Sequence, residues 1–173
     1  MTNDLIPAAV LIPFITTAGA GDLRLKSRNG PLSISSATKI LLTVRSHAVE
    51  HHKGQISFPG GVFEPSDMSL EDAALRESHE EIGLPRDQVE IVAELPQVPT
   101  VATRFQVTPF VGLVHGHPQF QPNPAEIGQI IFVPLHHLLN PANSVLDSYN
   151  REGLTYQFKT YNFGPHRIWG ATG

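Results

Sequence analysis

The chain has no cysteine among its 173 residues, so it has neither a disulfide framework nor thiol chemistry. That absence suits a reducing compartment, and a cytoplasmic location is the expectation. Positive charge is scarce as well. Twelve Lys and Arg stand against 16 Asp and Glu, for a formal net charge of −4, which leaves no basic stripe for a nucleic-acid backbone. No apolar run is long enough to span a bilayer; Ala8–Ala18 is short and broken by Pro13. No Lys or Arg precedes Arg24, so the positive segment of a signal peptide is missing, and the terminal Ala-Thr-Gly is not a peroxisomal address. His51-His52 and His136-His137 are neighbours rather than i, i+4 pairs, which argues against zinc. Repeats, low-complexity tracts and interdomain linkers are also lacking, so residues 1–173 read as one domain with a sizeable core.

What the chain does have is a cluster of carboxylates. Within Gly60–Leu84, the residues Arg76, Glu77, Glu80 and Glu81 fall in six positions. The glutamates are spaced i, i+3, i+4, so in a helix they share one narrow face. Like charges that close repel unless a cation neutralises them. Hard oxygen ligands without Cys or paired His suit Mg²⁺ or Mn²⁺. The helix itself is well signalled. Ser69 reads as its N-cap with Asp72 three residues on, Gly83 as its left-handed terminator, and Pro85 as a stop. Leu75, Ser78 and Ile82 form a flank that could face a core. Upstream, Phe58-Pro59-Gly60-Gly61 reads as a strand end entering a tight turn, where glycine lets backbone approach a ligand. The competing reading of such a charge run is a solvated helix face.

The segment resembles the Nudix box, through Gly61, Asp67, Arg76, Glu77, Ser78, Glu80, Glu81, Gly83 and Leu84. It departs from the pattern in three places. Asp67 replaces a Glu, eight residues rather than seven separate it from Arg76, and Ser78 stands where a small or apolar residue is usual. None removes a carboxylate from Arg76–Gly83. A second element, Leu41–Ser46 followed by His52–Gly61, resembles the coenzyme A pyrophosphatase branch of the family, as does the extra residue in the box. Weaker likenesses to that branch lie at Glu126–Leu135 and Ile168–Gly170.

The resemblance implies an α/β fold, the Nudix α/β/α sandwich around a mixed β-sheet. It implies metal-dependent hydrolysis of the pyrophosphate bond of coenzyme A or an acyl-CoA, with Mg²⁺ or Mn²⁺ held by Glu77, Glu80, Glu81 and the Gly60 carbonyl. Arg76 would orient a carboxylate rather than touch substrate. The general base would be a box glutamate or Glu126, which otherwise reads as a strand-edge surface residue. Arg45, His52, Lys53 and Gln55 are the candidate substrate contacts; alternatively they only shape the turn. Other nucleoside diphosphate derivatives such as ADP-ribose, and a catalytically silent Nudix sensing module, are the competing functions. No nucleic acid or membrane partner is expected.

Strands are expected at Ala8–Ile15, Ile40–Val44, Val89–Leu95, Phe105–Val114, Ile127–Val133 and Thr155–Tyr161, with a short helix in Pro134–Leu139. Thr17–Ser36 reads as a long hairpin or a loop around the Asn29-Gly30 turn. His47–Lys53, Gln97–Thr103 and His115–Pro124 read as loops. Phe105, Phe110 and Phe132 are assigned to the core, and Trp169 is left open. Family members continue past Trp169-Gly170 into a second long helix that covers the sheet. This chain stops at Gly173, so either that helix is truncated or it comes from elsewhere, and the expectation is an uncovered apolar face that invites homodimerisation or instability.

Overall fold

A computed structural model of the chain describes residues 5–16, 21, 23–35, 37–46, 54–100, 104–151 and 154–172. Its elements run β1 (Ile6–Ile15), β2 (Leu23–Ser27), β3 (Gly30–Ile34), β4 (Lys39–Arg45), β5 (Ile56–Ser57), β6 (Gly60–Val62), α1 (Leu70–Ile82), β7 (Val89–Glu94), β8 (Val98–Pro99), β9 (Phe105–Val114), β10 (Ile127–Pro134), α2 (Leu135–Leu139), β11 (Ser144–Arg151), β12 (Leu154–Phe163) and β13 (His166–Ile168). The central sheet is mixed, in the order β10-β4-β1-β9-β7, with β5 on β4, β6 on β1 and β8 on β9. Among the described residues, only the β1–β9 pairing within it is parallel.

Alternation along the apolar strands divides the core into two layers. Ala9, Leu11, Leu41, Phe110 and Ile127 face α1 and pack on Ala73, Ala74 and Ile82. Phe14, Leu42, Val111 and Ile131 face the other way. They are covered by Ile34 of β3, Leu135 of α2, and Tyr161 and Ile168 of the β11-β12-β13 sheet. Strands and a five-residue helix therefore fill the middle of the face that was expected to lie uncovered without a second long helix. No such long helix occurs among the described residues. Nor is any described helix long and apolar enough to cross a membrane.

The sheet opens where the site lies. β1 and β4 pair only at Phe14–Ile40 and Ile15–Lys39 and then diverge. β6 takes the freed edge of β1 and β5 that of β4, which leaves the Phe58-Pro59 turn in the gap.

Several expectations shift in detail. The Thr17–Ser36 segment contains the β2–β3 hairpin, whose turn docks on the edge of β7 through the Arg28 N–H to the Val92 carbonyl (2.6 Å). Residues 97–103 include the short strand β8. β11, a strand not foreseen, mixes Ser, Asp, Asn and Arg with its apolar residues, so periodicity gives it no signal. Phe110 is buried and Phe105 half-buried, but Phe132 is exposed. It lies on the edge strand β10 and stacks at 5.8 Å on Phe120. Trp169 is likewise exposed, against Phe158.

Candidate active site

Helix α1 forms as its caps dictate. Ser69 is extended (φ −162°) and its hydroxyl accepts the Asp72 N–H (3.1 Å), while the Asp72 carboxylate takes the Met68 N–H (3.1 Å). Gly83 is left-handed (φ 69°), which lets its N–H reach the His79 carbonyl (2.9 Å). The core stripe is Ala73, Ala74, Ser78 and Ile82, with Leu75 only half-buried. Two alanines bring the helix close to the sheet, and Ser78 satisfies its hydroxyl on the Ala74 carbonyl (2.7 Å).

That close seating buries Glu81, which is 4 % exposed. Its Oε2 accepts the Gly60 N–H (3.2 Å) and pairs with no cation among the described residues. Burial pushes its carboxyl up to about 7, helped by the charges of Glu77 and Glu126; the Gly60 hydrogen bond and Arg45 oppose this. Burial also raises Glu77, against the pull of Arg76 and with the repulsion of Glu80 and Glu126. The Glu77 carboxylate lies on Gly61, where a Cβ would come 2.4 Å from its Oε1. A methyl there would displace the Glu77 carboxylate.

Arg76 organises the rest. Its Nε and Nη2 grip Asp67 at 2.7 and 3.1 Å, its Nη1 reaches Glu77 (2.9 Å) and Glu80 (3.2 Å), and Nη2 also donates to the Val62 carbonyl (3.1 Å). Asp67, whose side chain is only 1 % exposed, also accepts the Glu64 N–H (2.7 Å). The Arg76 hydrogen bonds hold its carboxyl below the usual range. Asp67 was not among the residues singled out for the site, although its position in the box was the available signal.

Glu126 enters from the loop before β10. That loop satisfies carbonyls at the helix end, through Gln121 N–H to Ile82 (2.8 Å) and Asn123 N–H to Glu81 (2.8 Å). The Asn123 amide then holds Glu126 Oε1 (3.1 Å), and the Glu126 carbonyl takes the Ser46 N–H (2.7 Å). Asn123, a plain loop residue in the sequence, is thus what places Glu126 beside Glu77 and Glu81. Arg45, at the end of β4, exchanges backbone hydrogen bonds with the Gly54–Gln55 segment. Its Nε is buried without a hydrogen-bond partner. His52 and Lys53 lie outside the described residues.

The donors gathered here are carboxylate oxygens, whose chemistry fits a hard divalent cation; Gly60 meets Glu81 through its N–H. No three His, Cys, Asp or Glu side chains among the described residues converge at metal-ligand spacing. Glu77 and Glu80 lean on Arg76 instead.

Comparison with known proteins agrees with this geometry. Residues 32–151 match the model of the NUDIX domain. The chain belongs to the Nudix family. It is 34% identical over 142 residues to an uncharacterized Nudix hydrolase NudL of Photorhabdus laumondii, which covers 82% of this chain and 75% of the relative. With the NudL of Citrobacter koseri it shares 35% over 166 residues, 95% of this chain and 76% of the relative. Among solved structures, the Nudix hydrolase RenU of M. smegmatis superposes with a TM-score of 0.56 at 20% identity, covering 78% of this chain and 73% of that one. A C. elegans Ap4A hydrolase also reaches 0.56, at 18% identity and 78% and 84% coverage, and at that distance both show the fold alone. The protein is a Nudix pyrophosphohydrolase with the α/β sandwich of that family. Nudix hydrolases generally use divalent metals such as Mg²⁺ or Mn²⁺ and act on small nucleotide derivatives.

Proposed function

We propose that this enzyme hydrolyses the pyrophosphate bond of coenzyme A or an acyl-CoA to 3′,5′-ADP and 4′-phosphopantetheine or its acyl form. The observation that carries hydrolysis of a diphosphate is a buried carboxylate with no ion-pair partner among the described residues, Glu81, in one electrostatic neighbourhood with a guanidinium that has an unfilled donor, Arg45. The coenzyme A assignment is supported by the Leu41–Ser46 and His52–Gly61 element, whose Arg45 and Gln55 meet through the backbone beside the acids.

Glu77, Glu80 and Glu81, with the Gly60 carbonyl, would hold the Mg²⁺ or Mn²⁺. When bound, the metal supplies charge neutralisation on the diphosphate and a more acidic water. Arg76 fixes the rotamer of Glu77 from the side away from substrate, with Asp67 as its own anchor. The Arg45 guanidinium, close enough to act on the Glu81 charge, would take a phosphate oxygen, a group its planar fork suits. Water oxygen bonds to one phosphorus, the bridging P–O bond breaks, and the departing phosphate keeps its electron pair. Glu81, whose carboxyl burial raises to about 7, and Glu126, held by Asn123, are the candidate bases for the water's proton, each acting in its ionised form. A cytoplasmic location goes with this reading, supported by the lack of cysteine.

The test is a turnover panel of coenzyme A, NADH, ADP-ribose and a nucleoside triphosphate with Mg²⁺ or Mn²⁺. Coenzyme A should lead in kcat/KM. A clear preference for ADP-ribose would overturn the substrate assignment, and no hydrolysis of any of the four would favour a silent sensing module.

A further inference from the structure

Directly paired residues on neighbouring strands point to the same face of a sheet. One such row crosses four strands: Val62 of β6 pairs with Ala8 of β1, Ala8 with Val107 of β9, and Val107 with Val98 of β8. The next row holds Gly60, Val10 and Pro109, with Leu95 donating its N–H to the Pro109 carbonyl. Ile6 stands two residues before Ala8 on the same side. These positions are in phase with Ile12 and Phe14, so they face away from α1. Farther along β1 that face is covered; here the larger side chains are exposed, and Ala8, 5 % exposed, forms a floor between them. Ile6 is 45 % exposed, Leu95 39 %, Val98 38 % and Val62 37 %. Not one of the paired residues in the two rows is charged.

The occupant is indicated by what borders the patch. Its outer strand is β6, the strand whose Gly60 N–H holds Glu81 and whose Gly61 carries the Glu77 carboxylate on the opposite side. Among the described residues β6 pairs on one side, with β1. A substrate gripped at its diphosphate on the helix side of β6 can therefore turn over that free edge onto the rows. The rows offer aliphatic surface and no polar side chain to read a base edge, and three strand spacings give them a width of roughly 14 Å. This matches an extended hydrocarbon chain rather than a nucleobase. We propose that the Val62–Ala8–Val107–Val98 row, flanked by Ile6 and Leu95, seats the acyl chain of the substrate. The proposal rests on the acyl-CoA reading above and adds a preference within it: medium-chain thioesters over free coenzyme A.

The experiment measures kcat and KM for coenzyme A and its acetyl, butanoyl, hexanoyl and octanoyl thioesters with the wild type, with Ile6→Ser/Leu95→Ser/Val98→Ser, and with Val98→Ser alone. In the wild type KM should fall roughly twofold per added methylene, about half the free-energy gain of full burial because the face stays open on one side. The triple variant should lose that dependence and Val98→Ser should keep part of it. Both should turn over free coenzyme A as the wild type does, which also reports that they are folded. Turnover of coenzyme A with KM indifferent to chain length, or a triple variant that keeps the wild-type dependence, would overturn the acyl seat and leave the proposed function standing. A wild-type dimer that the triple variant converts to a monomer, with the chain-length dependence unaltered, would assign the rows to a second copy and likewise overturn it. No cleavage of coenzyme A or any thioester would remove the function and the seat together.

Discussion

Replacing Glu81 by Gln should make the metal-free protein more stable while removing its activity. Burial moves the Glu81 carboxyl from about 4.5 to about 7. In the unfolded chain it ionises near 4.5, so below that pH the group is neutral in both states and imposes no penalty. As pH rises from 4.5 through 7, the unfolded chain gives up a proton that the folded protein retains, and stability falls; above 7 the loss is complete. At about 1.4 kcal/mol per pH unit of displacement the loss approaches about 3 kcal/mol. Gln keeps the shape and still accepts the Gly60 N–H, without the charge. In EDTA at pH 8 the Glu81→Gln variant should therefore melt roughly 5–10 °C above the wild type. At pH 4 the two should nearly coincide. Denaturant melts at both pH values measure the difference directly, and pH effects shared by the two proteins cancel. An equal gap at pH 4 and pH 8, or a variant less stable at pH 8, would refute the view of Glu81 as a buried carboxylate held against its own solvation for function.

Other perturbations test neighbouring parts of the account. Asp67→Asn breaks the buried pair with Arg76 and should destabilise the protein by about 3 kcal/mol at pH 7, as read from chemical denaturation. Because the Asp67 carboxyl is held below its ordinary value, that difference should shrink as pH falls below about 3.8. Gly61→Ala places a methyl against the Glu77 carboxylate, so kcat should drop at least roughly 10²-fold; unchanged turnover would show that Glu77 is not needed where it stands. Asn123→Ala frees Glu126 and should lower kcat while leaving the melting temperature within a few degrees. EDTA should stop catalysis, and excess Mg²⁺ or Mn²⁺ restore it, in an assay of phosphate-ester products.

Much of the helix was legible in the sequence because its signals are local. Ser69, Asp72 and Gly83 act within a turn of themselves, and the three glutamates follow from spacing alone. The apolar strands β1, β4, β9 and β10 were readable for the same reason. What escaped depends on contacts distant in sequence. That Ala73 and Ala74 rather than Leu75 meet the sheet is set by how closely the helix can approach Leu11 and Phe110. Phe132 looked like core because it is aromatic and lies in a strong strand, but β10 is an edge and the residue meets only part of a neighbour. Asn123 carries no motif; its role appears only when the loop folds back on the end of α1. β11 has no alternation to announce it and exists by pairing with β12.

The most direct test is to incubate the wild type and Glu81→Gln with coenzyme A and Mg²⁺ and separate the products by chromatography. The wild type should release equal amounts of 3′,5′-ADP and 4′-phosphopantetheine, and the variant neither. Coenzyme A left intact by the wild type, or cleaved equally by both proteins, would contradict the account.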